Sequence, residues 1–207
     1  MSLVTSPTRQ NLSHRMKAIL FTLAIVLAMG AGYAYRSHLR YRNVAVHEPG
    51  KVYRAAWVEP DVMTDLIEKH RIRTVVNLCM PGEMGEHRWA VEREIVRNAG
   101  ARLLELPMPV TTDPAGQDLQ PHLAALSEAG NFPMLVHCQH GVTRTSKFLA
   151  IYDMCIRGKS ADESLSAQPL FGTAEHDAGV QAFCRDFEQR RGELSVHATA
   201  KHSEVMR

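Results

Sequence analysis

At 207 residues, with 45 % hydrophobic and 22 % charged residues, the chain has enough apolar material for one packed domain with appendages. A formal net charge of +2 leaves no electrostatic footprint for nucleic acid, and no nucleic-acid partner is expected. The four cysteines are far apart with no CxxC pair, which argues against a disulfide framework, and the eleven histidines show no zinc-type spacing with them.

The chain opens with a basic tail, residues 1–17, carrying Arg9, Arg15 and Lys17. Residues 18–35, AILFTLAIVLAMGAGYAY, contain no charge, and Arg36, Arg40 and Arg42 follow. A helix of that length spans ~27 Å, enough for the hydrocarbon core of a bilayer, with Tyr33 and Tyr35 suited to one interface. A signal-anchor helix is the preferred reading. A cleaved signal peptide fits the basic start and the small residues of AGYA, and a buried core helix is disfavoured because no face is polar. The chain is thus expected at a membrane as a single-pass protein. Cations are balanced on the two sides, but a short tail with no acid is hard to translocate, which favours the C-terminal domain outside the cytoplasm.

From residue 43 to about 192 the pattern is that of a folded domain, with a structureless tail expected over residues 193–207. KVYRAA reads as a short strand, and Pro60 opens a helix over DVMTDLIEKH, with Val62, Leu66 and Ile67 on one face. IRTVVNLC is a β-branched run typical of a buried strand. After the loop MPGEMG comes an amphipathic helix, EHRWAVEREIVRNAG, stopped at Gly100, then the strand ARLLELPM. PVTTDPAGQD is turn-rich, DLQPHLAALSEAG is helical, and FPMLVHC is a continuous apolar strand. RTSKFLAIYDMCIRG reads as a largely buried helix, and SADESLSAQPL and GVQAFCRDFEQRR as two more. Strand–helix alternation of this kind predicts an α/β domain with a mostly parallel central sheet flanked by helices. Ligands in such folds sit beyond the carboxyl ends of the strands.

HCQHGVTRTS, residues 137–146, lies at such an end, between a buried strand and a helix. A short loop there turns the backbone N–H groups of Gln139, His140, Gly141, Val142 and Thr143 towards one concavity at the positive end of the helix dipole. Gly141 permits the tight turn. Arg144 adds a planar fork that grips two oxygens of a phosphate, and Cys138 lies in the same positive field, where its thiol ionises more easily. That combination suits attack of a thiolate on phosphorus. Cys79, Cys155 and Cys184 fall in apolar runs and read as core residues, with Cys79 also a candidate redox partner of Cys138.

On these residues the chain resembles the protein tyrosine phosphatase superfamily in its short dual-specificity branch, over most of the sequence beyond the apolar segment. The resemblance implies a dual-specificity phosphatase-like fold. Cys138 would be the nucleophile that becomes a cysteinyl-phosphate, Arg144 would bind phosphoryl oxygens, and Thr145 would hydrogen-bond the sulfur and help it leave. His137 would support the loop without transferring protons, and His140 would lie at the pocket rim. Ser146 departs from the glycine usual at that position. No metal and no other cofactor are implied.

A mobile acid is needed to protonate the leaving group. Asp113, before Pro114, is similar to the family's acid, although closer in sequence to the cysteine than is usual. Asp118 fits a helix cap better. The expected activity is a cysteine-dependent phosphomonoester hydrolase acting on phosphotyrosine or phosphoserine/threonine proteins, since the loop carries few cations. The main alternative is a phospholipid or glycolipid phosphatase at the membrane. A non-catalytic phosphate-binding module and a sulfur-transferring rhodanese-like domain are disfavoured, because cysteine, arginine and threonine are all present.

Overall fold

The computed structural model describes residues 14–115, 118–169 and 178–192. The expected tail at 193–207 and the first 13 residues lie outside them. The chain divides into two units, residues 1–39 and 40–207. The first is built on α1, His14–Arg40, longer at both ends than the apolar segment itself. Within it Met16–Arg36 is long and apolar enough to cross a membrane, and none of that stretch is buried within the protein. Its one threonine is compatible with an apolar medium, because the Thr22 hydroxyl donates to the Ala18 carbonyl at 3.0 Å.

The second unit is a five-stranded mixed sheet with flanking helices. Its strands are β1 (Ala45–Glu48), β2 (Val52–Ala56), β3 (Thr74–Asn77), β4 (Arg102–Glu105) and β5 (Met134–Cys138), in the order β1-β2-β5-β3-β4. All neighbours are parallel except β1 and β2, which are antiparallel. The edge strand β1 has no counterpart in the sequence reading. Its four residues, AVHE, alternate only weakly and are not apolar enough to stand out.

Helices cover both faces. On one side α2 (Pro60–His70) packs beside α3 (Glu86–Asn98). Pro60 supplies the preset φ of a first turn, and α2 ends where Arg71 turns left-handed at φ 52°. Val62, Met63, Leu66 and Ile67 are buried against Tyr53, Ala55, Val75 and Leu135. Each such side chain contributes about 1.5–3 kcal/mol of burial, so Leu66→Ala alone would cost about 2–5 kcal/mol. On the other side lie α4 (Gln120–Ser127), α5 (Thr143–Cys155), α6 (Ala161–Ser166) and a last helix, α7, over residues 178–192. Ser160 caps α6 with a reciprocal Ser–Glu163 pair.

The central strand β5 is buried at all five positions. By strand alternation Met134, Val136 and Cys138 join the α5 side of the core while Leu135 joins the α2–α3 side. Cys138 is therefore the last residue of the innermost strand and directly precedes the turn into α5. The expectation that Cys155 is a core residue is wrong. It ends α5, where the chain from Cys155 to Gly158 is exposed, because the apolar run outlasts the layer beneath it.

Candidate active site

Three successive carbonyls of the loop after β5 are turned into the body of the protein. Gln139 O accepts from Trp57 N at 3.2 Å, His140 O from Asn43 Nδ2 at 2.7 Å, and Gly141 O from Arg54 Nη2 at 2.7 Å. With these carbonyls engaged, the His140 and Thr145 N–H groups are turned to the Cys138 sulfur. Gly141 is required here: it has φ +64°, and a Cβ would sit 2.4 Å from the Ala55 carbonyl oxygen. The first turn of α5 carries no side-chain cap, so its N–H groups add to the same concavity.

Cys138 is 2 % exposed and its Sγ accepts the Thr145 hydroxyl at 3.3 Å. Burial pushes this thiol up. The Thr145 hydroxyl and N–H, the Arg144 charge and the His140 N–H outweigh it and leave the thiol below its ordinary value. Cys79 has the opposite balance: burial dominates, raising its thiol far above the usual range. Of the two buried cysteines at this end of the sheet, only Cys138 is favoured as a thiolate.

Arg144 is buried, and its fork is held by an acid that the sequence reading overlooked. Glu83, in the β3–α3 loop, accepts from Nη1 at 2.5 Å and from Nη2 at 2.6 Å, and Leu78 O lies 3.4 Å from Nη1. The contact with Arg144 holds the Glu83 carboxyl below its usual range despite partial burial. A guanidinium has five N–H donors, so an end-on carboxylate leaves its Nε edge free for a second oxyanion.

Arg54, on β2, was also missed. Its side chain is fully buried under the loop and donates to Gly141 O, to Ser146 Oγ at 3.0 Å and to Gln168 Oε1 at 3.2 Å. Burial pulls its guanidinium down to about 10, while the nearby Cys138 charge works against that shift. Ser146, the departure from the family glycine, is thus a hydrogen-bond partner of this buried cation. His137 is fully buried on the opposite face, 3.0 Å from Glu92 Oε1. Glu92 also accepts from Asn77 Nδ2 at 2.6 Å, and Asn77 Oδ1 accepts from Cys79 N at 2.8 Å. Burial disfavours the imidazolium, but Glu92 outweighs burial and raises His137 above its usual value.

Asp113 is exposed and its Oδ1 accepts from Ala115 N at 2.8 Å. It lines a groove of about 690 Å³ with Thr143, at the start of α5, and Lys147. Asp118 accepts from Gln120 N at 2.9 Å but stands one residue before the N-cap position, Leu119, and α4 has no side-chain cap, so the expected cap is not formed by Asp118. His140 is exposed on the loop, and Gln139, Val142 and Thr143 are half-buried. Among the described residues no group of three or more His, Cys, Asp or Glu side chains could hold a metal ion.

A loop of this construction, with a thiol in an N–H cradle and an arginine fork, defines a cysteine-based phosphatase fold. The model of the family described as "DSP-PTPase phosphatase fused to NAD+ Kinase" matches residues 44–186, and the chain belongs to that family, in the dual-specificity-like branch of the protein tyrosine phosphatase superfamily. Among solved structures, a cysteine-to-serine variant of TpbA from P. aeruginosa in complex with phosphotyrosine matches at 22 % identity and TM-score 0.58, over 76 % of this chain and 91 % of that one. A DUF442 protein from Shewanella putrefaciens CN-32 matches at 17 % and 0.58, over 75 % and 94 %. The catalytic core of the PP-IP phosphatase Siw14 from S. cerevisiae matches at 16 % and 0.51, over 75 % and 93 %. These likenesses are of fold. No curated protein matches.

Proposed function

We propose that this chain is a metal-independent phosphomonoester hydrolase that works through a cysteinyl-phosphate on Cys138. The observation that carries the reading is the buried Cys138 sulfur, held 3.3 Å from the Thr145 hydroxyl at an uncapped helix N-terminus. The phosphate is bound by the N–H groups of residues 139–144 and by the free edge of Arg144. The thiolate attacks phosphorus, forming the S–P bond as the P–O bond to the leaving group breaks, and Asp113 gives its proton to the departing oxygen. Asp113 then takes a proton from water, which attacks phosphorus, and the sulfur leaves with Thr145 donating to it. Orthophosphate is released and the thiolate restored.

The substrate proposed is a singly phosphorylated group, phosphotyrosine or phosphoserine/threonine on a protein. The loop itself carries one arginine, Arg144, and that side chain is paired with Glu83, which suits a singly phosphorylated group better than a polyphosphorylated ring. A second reading, a phospholipid phosphatase, is favoured by α1 alone. Residues 18–35 are proposed as a membrane anchor, residues 43–192 as the catalytic domain, and the side outside the cytoplasm as its location.

The test is hydrolysis of an aryl phosphate by the full-length protein in detergent with EDTA present. Activity should persist, and complete loss restored by added zinc or magnesium would overturn the metal-free mechanism. A panel of phosphopeptides and phospholipids at equal concentration separates the two substrate readings, and protease protection in sealed vesicles tests the side of the membrane.

A further inference from the structure

Lys147 lies three residues after Arg144, so the two side chains leave α5 on neighbouring lines of one face. It is only 3 % exposed. A buried ammonium is costly unless its charge is met, yet among the described residues no carboxylate lies within ion-pair distance of it. Instead Nζ donates to Val110 O and to Thr112 O, both at 2.9 Å, and lies 5.2 Å from the centre of the Phe183 ring on α7. The Thr112 carbonyl belongs to the peptide bond that leads into Asp113. The same loop is closed on itself, with Thr112 N and Oγ1 donating to Pro109 O at 3.0 and 2.5 Å.

We propose that Lys147 is a positioning residue for the acid: it ties the loop that carries Asp113 to the helix whose first turn carries Arg144 and Thr145. The inference rests on the reading of Asp113 as general acid. A loop on the surface would otherwise be free to move relative to α5, and proton transfer needs the carboxyl within hydrogen-bond reach of the leaving oxygen. Two bonds on either side of Thr111, one of them at the Asp113 peptide, fix the loop where it approaches Thr143. The tie costs the burial of a charge, which burial reflects by lowering the ammonium below its usual value. An apolar side chain of that size would fill the space without making either bond to the loop.

The experiment compares full-length wild type, Lys147→Met, Asp113→Asn and the double variant on an activated aryl phosphate and on an alkyl phosphate. If Lys147 acts through Asp113, Lys147→Met slows the alkyl substrate roughly 10–100-fold, the scale of a 1 Å misplacement, and slows the activated one about tenfold less. The double variant is then no slower than Asp113→Asn alone. A merely structural lysine gives equal losses on both substrates, or losses that multiply with Asp113→Asn, and either result overturns the proposal. If Asp113→Asn discriminates between leaving groups and Lys147→Met does not, the lysine proposal falls and the acid stands. If Asp113→Asn itself fails to discriminate, both fall. Should Lys147→Met not fold, Lys147→Gln, which keeps one amide donor for a carbonyl, replaces it and is read by the same criteria.

Discussion

Gly141→Ala is the sharpest single perturbation of the phosphate cradle. The added Cβ would stand 2.4 Å from Ala55 O, 2.5 Å from Ala55 C and 2.6 Å from Ala56 N. Ordinary contacts begin about 1 Å further out. All three atoms are backbone of β2, which is paired with β1 on one side and β5 on the other, so the strand cannot yield and the loop must move. A residue with a Cβ at φ +64° adds about 1–2 kcal/mol, and overpacking of this kind about 1–3 kcal/mol. At about 2–4 °C per kcal/mol the unfolding midpoint should fall by the order of 10 °C. Displacing the N–H groups by about 1 Å should lower kcat/KM by about 10²-fold or more. The assay is aryl phosphate hydrolysis by the full-length variant in detergent, with thermal unfolding followed on the same sample. Activity within threefold of wild type at an unchanged midpoint would refute the cradle geometry.

Arg144→Lys should lower kcat/KM by roughly 10²–10³-fold, because a point charge replaces a two-pronged contact and leaves Glu83 half-paired. The pH dependence of alkylation by iodoacetamide at Cys138 should have its midpoint below that of an ordinary thiol, since the donors around the sulfur favour the thiolate. Thr145→Ala should move that midpoint upward, and an unmoved midpoint would remove Thr145 from the account. Asp113→Asn should slow hydrolysis of an alkyl phosphate by roughly 10²–10⁴-fold and an activated aryl phosphate much less, while Asp118→Asn does neither. Exchange of these two behaviours would make Asp118 the acid.

Much of the fold could be read because the buried strands are plain apolar runs: TVVN and MLVHC are buried at every position, and the strand–helix rhythm around them predicts a parallel sheet. The weakly patterned edge strand β1 gave no comparable signal. Cys138, Arg144 and Thr145 were legible because the residues that form the loop are contiguous, and a strand end, a glycine and a helix start fall within one short stretch. The supports of that loop were not. Arg54 meets Gly141 across 87 positions and Glu83 meets Arg144 across 61, so neither pairing leaves a local pattern. Glu83 could have been flagged as an acid in a loop at the carboxyl end of β3, the end where ligands bind. The burial of α5 was legible, and it is buried from Arg144 to Met154, but the acceptors of Lys147 lie 35 and 37 positions away and leave no local pattern.

The covalent intermediate tests the central claim most directly. Full-length protein mixed with an aryl phosphate, quenched in acid within a turnover and digested, should yield a phosphorylated peptide containing Cys138, detected by mass spectrometry. The Cys138→Ser variant should give no such peptide and no turnover, while still binding tungstate as a phosphate mimic. A phosphoryl group found on another residue, or substantial turnover by Cys138→Ser, would contradict the mechanism.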